Sequence, residues 1–160
     1  MELILVPLEI PKDANLIMGQ SHFIKTVEDL YEIMAGSVPG MDFGIAFCEA
    51  SMECLVRTDG NSDELTAAAV RNATAVAAGH TFYILLRKAY PINVLNALKS
   101  CPEVCRIFCA TANPVYAVVA KNEQGCGVLG VIDGFSPKGI ETEADQAKRK
   151  ALLQAIGYKR

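Results

Sequence analysis

A chain of 160 residues fits one domain and can bury most of its unfolded surface without staples. Half the residues are apolar and about a fifth are charged, a globular and not a disordered composition. The net charge is −3, and the basic residues are scattered except at Lys148–Lys150 and Lys159–Arg160. Without a basic stripe and interleaved aromatics, nucleic-acid binding is not expected. The opening Met1-Glu2-Leu3-Ile4-Leu5-Val6-Pro7 has no basic start, and no long apolar run follows, so a cytoplasmic protein with no membrane partner is expected. The six cysteines (Cys48, Cys54, Cys101, Cys105, Cys109, Cys126) form no C-x-x-C pair, and there are two histidines. No metal site is therefore expected, and the thiols read as small buried hydrophobes in a reducing compartment.

In chain order, residues 2–6 read as a strand stopped by Pro7, and residues 15–20 as a second strand. Thr26 ahead of Glu28 and Asp29 predicts a capped helix carrying Leu30, Ile33 and Met34 on one face and ending near Gly36. Phe43–Phe47 reads as a buried strand continuing to Ser51, with 54–57 as its hairpin partner and Thr58-Asp59-Gly60-Asn61 as a polar turn. Asn61 with Glu64 predicts the cap of an alanine-rich helix over 62–78, whose small residues suit close packing on a sheet. Gly79 is expected just past that helix in the left-handed conformation, which places His80 at a helix-to-strand junction before the strand 82–87. A short helix follows Pro91, then a strand over 104–110, on which the spacing of Cys105, Ile107 and Cys109 predicts one shared face. Two strands over 116–120 and 128–132 are joined by a turn. A last amphipathic helix starts at Thr142 with Asp145 as box partner and is expected to bury Ala147, Ala151, Leu152, Ala155 and Ile156. Eight strands and four helices in short units predict an α/β three-layer sandwich, a mixed β-sheet with helices packed on it, in a single domain over 1–160.

Gly125-Cys126-Gly127-Val128-Leu129-Gly130 matches G-x-G-x-x-G, but it opens a β-branched run where a dinucleotide fingerprint would open a helix. It reads as a hairpin turn. No P-loop, G-x-S-x-G or H-E-x-x-H occurs. What remains is a set of polar residues at strand ends: Gln20, His22 and Lys25, then Glu49, Arg57, Asp59 and Asn61, then His80, Asn113 and Asp133. In an open α/β sheet, ligands bind outside the carboxyl ends of strands, so these residues are candidates for that rim. Asn61 reads equally as a helix cap.

Several segments together resemble a known family: Gly19-Gln20-Ser21-His22-Phe23, Phe43–Ser51, Arg57-Thr58-Asp59-Gly60-Asn61, Ala78-Gly79-His80-Thr81-Phe82, Ala110–Pro114 and Val131-Ile132-Asp133-Gly134. Nearly end to end, the chain is similar to the adenosine-specific kinase family of small prokaryotic, largely archaeal proteins. The resemblance implies an α/β fold, binding of adenosine or AMP, assembly into a homo-oligomer, and a histidine that carries a phosphoryl group. That histidine maps to His80, with His22 as the rival. Met52, Ser62 and Cys126 stand where the family pattern calls for Gly, Asp and Arg.

The function expected is a phosphotransferase acting on adenosine through a phosphohistidine at His80; a non-catalytic AMP or adenosine sensor and a structural homo-oligomer are the alternatives. Arg57, Lys25 and the amides opening the 62–78 helix are the available phosphate donors, with Arg57 or Arg87 as cations offsetting the helix-end field at His80. Glu49, Asp59 and Asp133 are available to orient the imidazole or to hold Mg²⁺, the one cofactor in view, and Asn113, Asn93 or Gln20 to hold the base.

Overall fold

The computed structural model describes residues 1–160. The stretch that the rest packs around is β5 (Thr81–Arg87), the middle strand of a five-stranded sheet, with Phe82 through Leu86 fully buried on both faces. A central strand covered on both sides reads as a continuous apolar run. Its neighbours are β3 (Asp42–Cys48) and β2 (Asn15–Ser21), and the edges are β4 (Val56–Gly60) and β6 (Val104–Thr111). A second sheet of three strands is built from β1 (Glu2–Leu8), β7 (Val115–Lys121) and β8 (Cys126–Asp133) in the order β1-β7-β8.

Three layers result. On one face of the large sheet, Ile17, Phe43, Ile45, Phe47, Phe82 and Ile84 pack against Leu30 and Met34 of α1 (Thr26–Ser37) and Leu98 of α3 (Leu95–Lys99), which follows a 3-10 turn at Pro91–Asn93. On the other face, Leu16, Met18, Ala46, Tyr83 and Leu85 meet α2 (Asp63–Val76) and the inner side of the small sheet, including Val6, Ala117 and Val119. Each fully buried side chain of this size contributes about 1.5–3 kcal/mol. The α/β sandwich expected from the sequence is present. Its named strands pair antiparallel throughout, and the one parallel contact is an isolated bridge between Ala78 and Cys126.

Local differences from the sequence reading have identifiable causes. Strand β1 runs through Pro7 because it is an edge strand, where a missing N–H is tolerated. Residues 58–60, expected as a turn, form the edge strand β4, a position that accepts polar side chains. Thr26 is no cap: its hydroxyl donates to the Phe23 carbonyl and meets Ser21 Oγ at 2.7 Å. Ser62, and not Asn61, caps α2 by accepting from Leu65 N–H. Cys109 and Ile107 face opposite layers, because an irregularity in the β2–β6 ladder takes Met18 to Cys109 and then Gly19 to Ile107. A bulge of this kind shifts side-chain parity by one. All six cysteines are free, with Cys48, Cys101 and Cys109 buried and Cys54 and Cys105 exposed.

The last helix, α4 (Glu143–Ala155), begins as the sequence indicates, with Thr142 and Asp145 making a reciprocal capping box. It buries none of its residues, however, so the expected core contacts of Ala147, Ala151, Leu152, Ala155 and Ile156 are not made within this chain. The apolar stripe is real but has no partner surface in its own fold. No helix is long and apolar enough to cross a membrane.

Candidate functional site

His80 sits where α2 returns to the sheet. The helix ends at Val76, and Ala77 closes it in the left-handed conformation (φ 53°), its N–H bonded to the Ala73 carbonyl. Gly79, expected to supply the left-handed turn, does not; His80 takes it at φ 64°. Glycine is required at 79 for space, since a Cβ there would stand 2.8 Å from Ala50 Cβ. His80 is pinned on both sides: its N–H donates to the Cys48 carbonyl (2.7 Å), and its carbonyl accepts from Ser21 N–H (2.9 Å). The imidazole lies nearly parallel to the Phe47 ring, with centroids 6.1 Å apart. A residue with a Cβ held left-handed is strained and persists only where its surroundings over-determine it, a condition common at functional sites.

Around this junction the fold gathers the ends of β2 and β3 and the starts of β4, β5 and β6. Gln20 lies opposite Thr81 and Arg106. His22 is exposed, its N–H bonded to the Glu103 carbonyl (3.1 Å) and its ring beside Phe23. Lys25 pairs with Asp29 at 2.7 Å. Glu49, buried at the end of β3, accepts from Leu55 N–H (3.0 Å) and from Arg57 Nη2 (3.0 and 3.1 Å). Those bonds, the Leu55 amide first and the Arg57 guanidinium next, hold its carboxyl below the usual range. Arg57 Nε is buried with no acceptor.

The other expected site residues lie elsewhere. The carboxyl-end rule belongs to parallel sheets, in which all strands end on one rim. In an antiparallel sheet, successive strands end on opposite rims, and that is what separates them here. Asp59 is paired with Ile45, partway along β3, and its carboxylate accepts from the N–H of Gly60. The Asn61 amide is committed to Phe43 N–H (2.7 Å) and the Met41 carbonyl (2.8 Å), a clamp on the start of β3. Asn113 and Asp133 meet at the far rim, Nδ2 to Oδ1 3.3 Å, next to Thr111, which pairs with Leu16. Glu49, Asp59 and Asp133 therefore do not converge on one Mg²⁺. Asn93 is used to bond Tyr90 N–H, which leaves Gln20 as the side-chain amide near His80.

The phosphate donors assigned to the helix also need correction. Asn61 N–H and Ser62 N–H both bond the Phe43 carbonyl, so α2 starts at the far end of the sheet and only its C-terminus approaches His80. Arg87 ends β5 opposite Asp42, roughly 20 Å from His80 along a seven-residue strand, and is paired with Glu64 (2.6 and 2.9 Å). Neither feature acts on His80.

Beside the junction lies a cleft of about 790 Å³. Cys48, Glu49, Gly79 and Ala77 form one wall, and the β7–β8 hairpin, with Cys126 and Gly127, forms the other. The glycine-rich hairpin read from the sequence as a turn is thus a cleft wall, tied to the junction by the Ala78–Cys126 bridge. Nothing local in the sequence signals this, because the hairpin and the junction meet only through the packing of two sheets. The departures from the family pattern also acquire places. Met52 holds φ 58°, a conformation that favours glycine; Ser62 replaces one N-cap former with another; Cys126 lines the cleft.

Comparison with known proteins gives two positive findings. Residues 6–159 match the family model described as "Adenosine specific kinase". The chain is also similar to the crystal structure of PH1918 protein from Pyrococcus horikoshii OT3, at 43% identity and a TM-score of 0.95, over 99% of this chain and 98% of that one. No curated protein gives a significant match.

Proposed function

The chain belongs to the adenosine-specific kinase family, and from that premise we propose that it binds adenosine or AMP at the His80 end of the five-stranded sheet and accepts a phosphoryl group on His80. The observation that carries the reading is His80 itself, held left-handed at φ 64° by two backbone hydrogen bonds. A neutral ring nitrogen attacks phosphorus; the N–P bond forms as the bond to the donor's leaving oxygen breaks, and the phosphoramidate then passes to an acceptor. Arg57, 36% exposed and paired to Glu49 through Nη2, supplies a cation for phosphoryl oxygens, and Gln20 an amide for the base. The cleft of about 790 Å³ beside the junction is lined by Glu49 and Gly79, and His80, Gln20 and Arg57 stand outside its lining. Calorimetric titration tests this: AMP or adenosine binds more tightly than ATP, and ATP binding as well or better counts against it. Binding with no phosphate ever found on the protein favours the sensor over the kinase.

The working form is a homo-oligomer. The outer face of the small sheet leaves Leu3, Leu5, Tyr116, Leu129 and Ile132 exposed, and α4 leaves Leu152 and Ile156 exposed. An apolar sheet face and an amphipathic helix, both unpartnered on one chain, suit each other across copies. Light scattering of the wild type should give a multiple of the chain mass. The double change Leu152→Asp, Ile156→Asp should give the single-chain mass, and a monomeric wild type at micromolar concentration would remove the idea.

A further inference from the structure

Asp29 on α1, Cys101 after α3 and Glu103 ahead of β6 each bring one ligand atom to within 4.8 Å of the others. Glu103 is 1% exposed, and neither of its carboxylate oxygens has a hydrogen-bond donor. A buried carboxylate with no donor is strongly disfavoured and calls for a positive charge. Lys25 meets the need only in part: its ammonium bonds Asp29 at 2.7 Å and makes a long ion pair with Glu103 at 3.7 Å, beyond hydrogen-bond reach, from a half-exposed side chain. One alternative is a proton. Such a proton would be shared with the neighbouring Asp29 carboxyl.

We propose that Asp29, Cys101 and Glu103 form a binding site for a divalent transition-metal ion, with Zn²⁺ the best match. The donor set selects the class. A thiolate disfavours Mg²⁺ and Ca²⁺, while a mixed sulfur and carboxylate set suits Zn²⁺, with water as a fourth ligand. On binding, the Cys101 S–H bond breaks, its proton leaves to buffer, an S–Zn bond forms, and the Lys25 ammonium swings out to solvent. The ion ties α1 to the lead-in of β6 directly under His22, whose N–H bonds the Glu103 carbonyl. The site stands independently of the nucleotide reading, and neither test decides the other.

Zn²⁺ titrated calorimetrically into the metal-free full chain should bind one equivalent with a buffer-dependent heat of proton release, and Co²⁺ should give a thiolate-to-cobalt charge-transfer band. Cys101→Ala should abolish the band, and both it and Glu103→Gln should weaken Zn²⁺ by more than about a hundredfold, since even outer-shell partners cost 10–100-fold. Lys25→Met, at an exposed position that does not threaten the fold, should tighten binding by about fivefold or more, the effect of one ammonium about 4 Å away in a water-like dielectric. Absence of stoichiometric binding, as expected for a shared proton only, overturns the proposal. So does an affinity indifferent to both ligand changes, which places the ion on other cysteines, or a weaker affinity in Lys25→Met.

Discussion

His80→Asn should abolish the acid-labile phosphate that the wild-type chain takes up from a phosphoryl donor, while costing only about 1 kcal/mol of stability from the lost stacking on Phe47. Asparagine is the apt replacement because it tolerates the left-handed backbone that His80 occupies at φ 64°. The bonds to Cys48 and from Ser21 use only the main chain and survive the change. The variant therefore removes the imidazole and little else. An N–P linkage is labile in acid and stable in base, which separates it from phosphoserine. His22→Asn, at an exposed neighbouring position, is the paired control and should keep its phosphate. Phosphate retained by His80→Asn and lost by His22→Asn would transfer the role to His22. No phosphate on the wild type with any donor, together with unchanged AMP affinity in His80→Asn, would leave His80 a structural residue.

Gly44→Ala should destabilise the fold by about 3 kcal/mol or more, the upper end for overpacking. A Cβ at Gly44 would stand 2.1 Å from Thr66 N and 2.4 Å from Leu65 C, and these are backbone atoms of α2 that no rotamer change can move. The helix would have to lift off β3, disturbing the contacts of Ala68, Ala69 and Ala73, all fully buried at this seam. Gly36→Ala makes the contrast. In α1 its Cβ would meet nothing within 4 Å, so the exchange should stabilise by about 0.5–1 kcal/mol through helix propensity. Urea denaturation with unchanged m-values checks both. A Gly44→Ala cost below about 1 kcal/mol would mean that the helix and sheet are less tightly seated than described.

The buried run of β5, the α1 face of Leu30 and Met34, the close-packing alanines of α2 and the Thr142–Asp145 box were all legible in the sequence, because each is a local pattern of period or cap chemistry. So were the family and the junction at His80, since a motif is a local string. The assembly of the site was not. Strand direction decides which ends share a rim, and it is set by long-range pairing that no local segment encodes. With the strands antiparallel, Asp59, Asn61, Asn113 and Asp133 lie away from His80, Gln20, His22, Glu49 and Arg57 lie at its end of the sheet, and Lys25 turns to Asp29 and Glu103. The left-handed turn moved from Gly79 to His80 for the same reason: pairing with Cys48 and Ser21 overrode the local preference for glycine. Glu103 gave no sequence signal either. Its two orphaned oxygens and its approach to Asp29 and Cys101 exist only once α1, α3 and β6 pack together, because desolvation is a property of the packed environment and not of the residue.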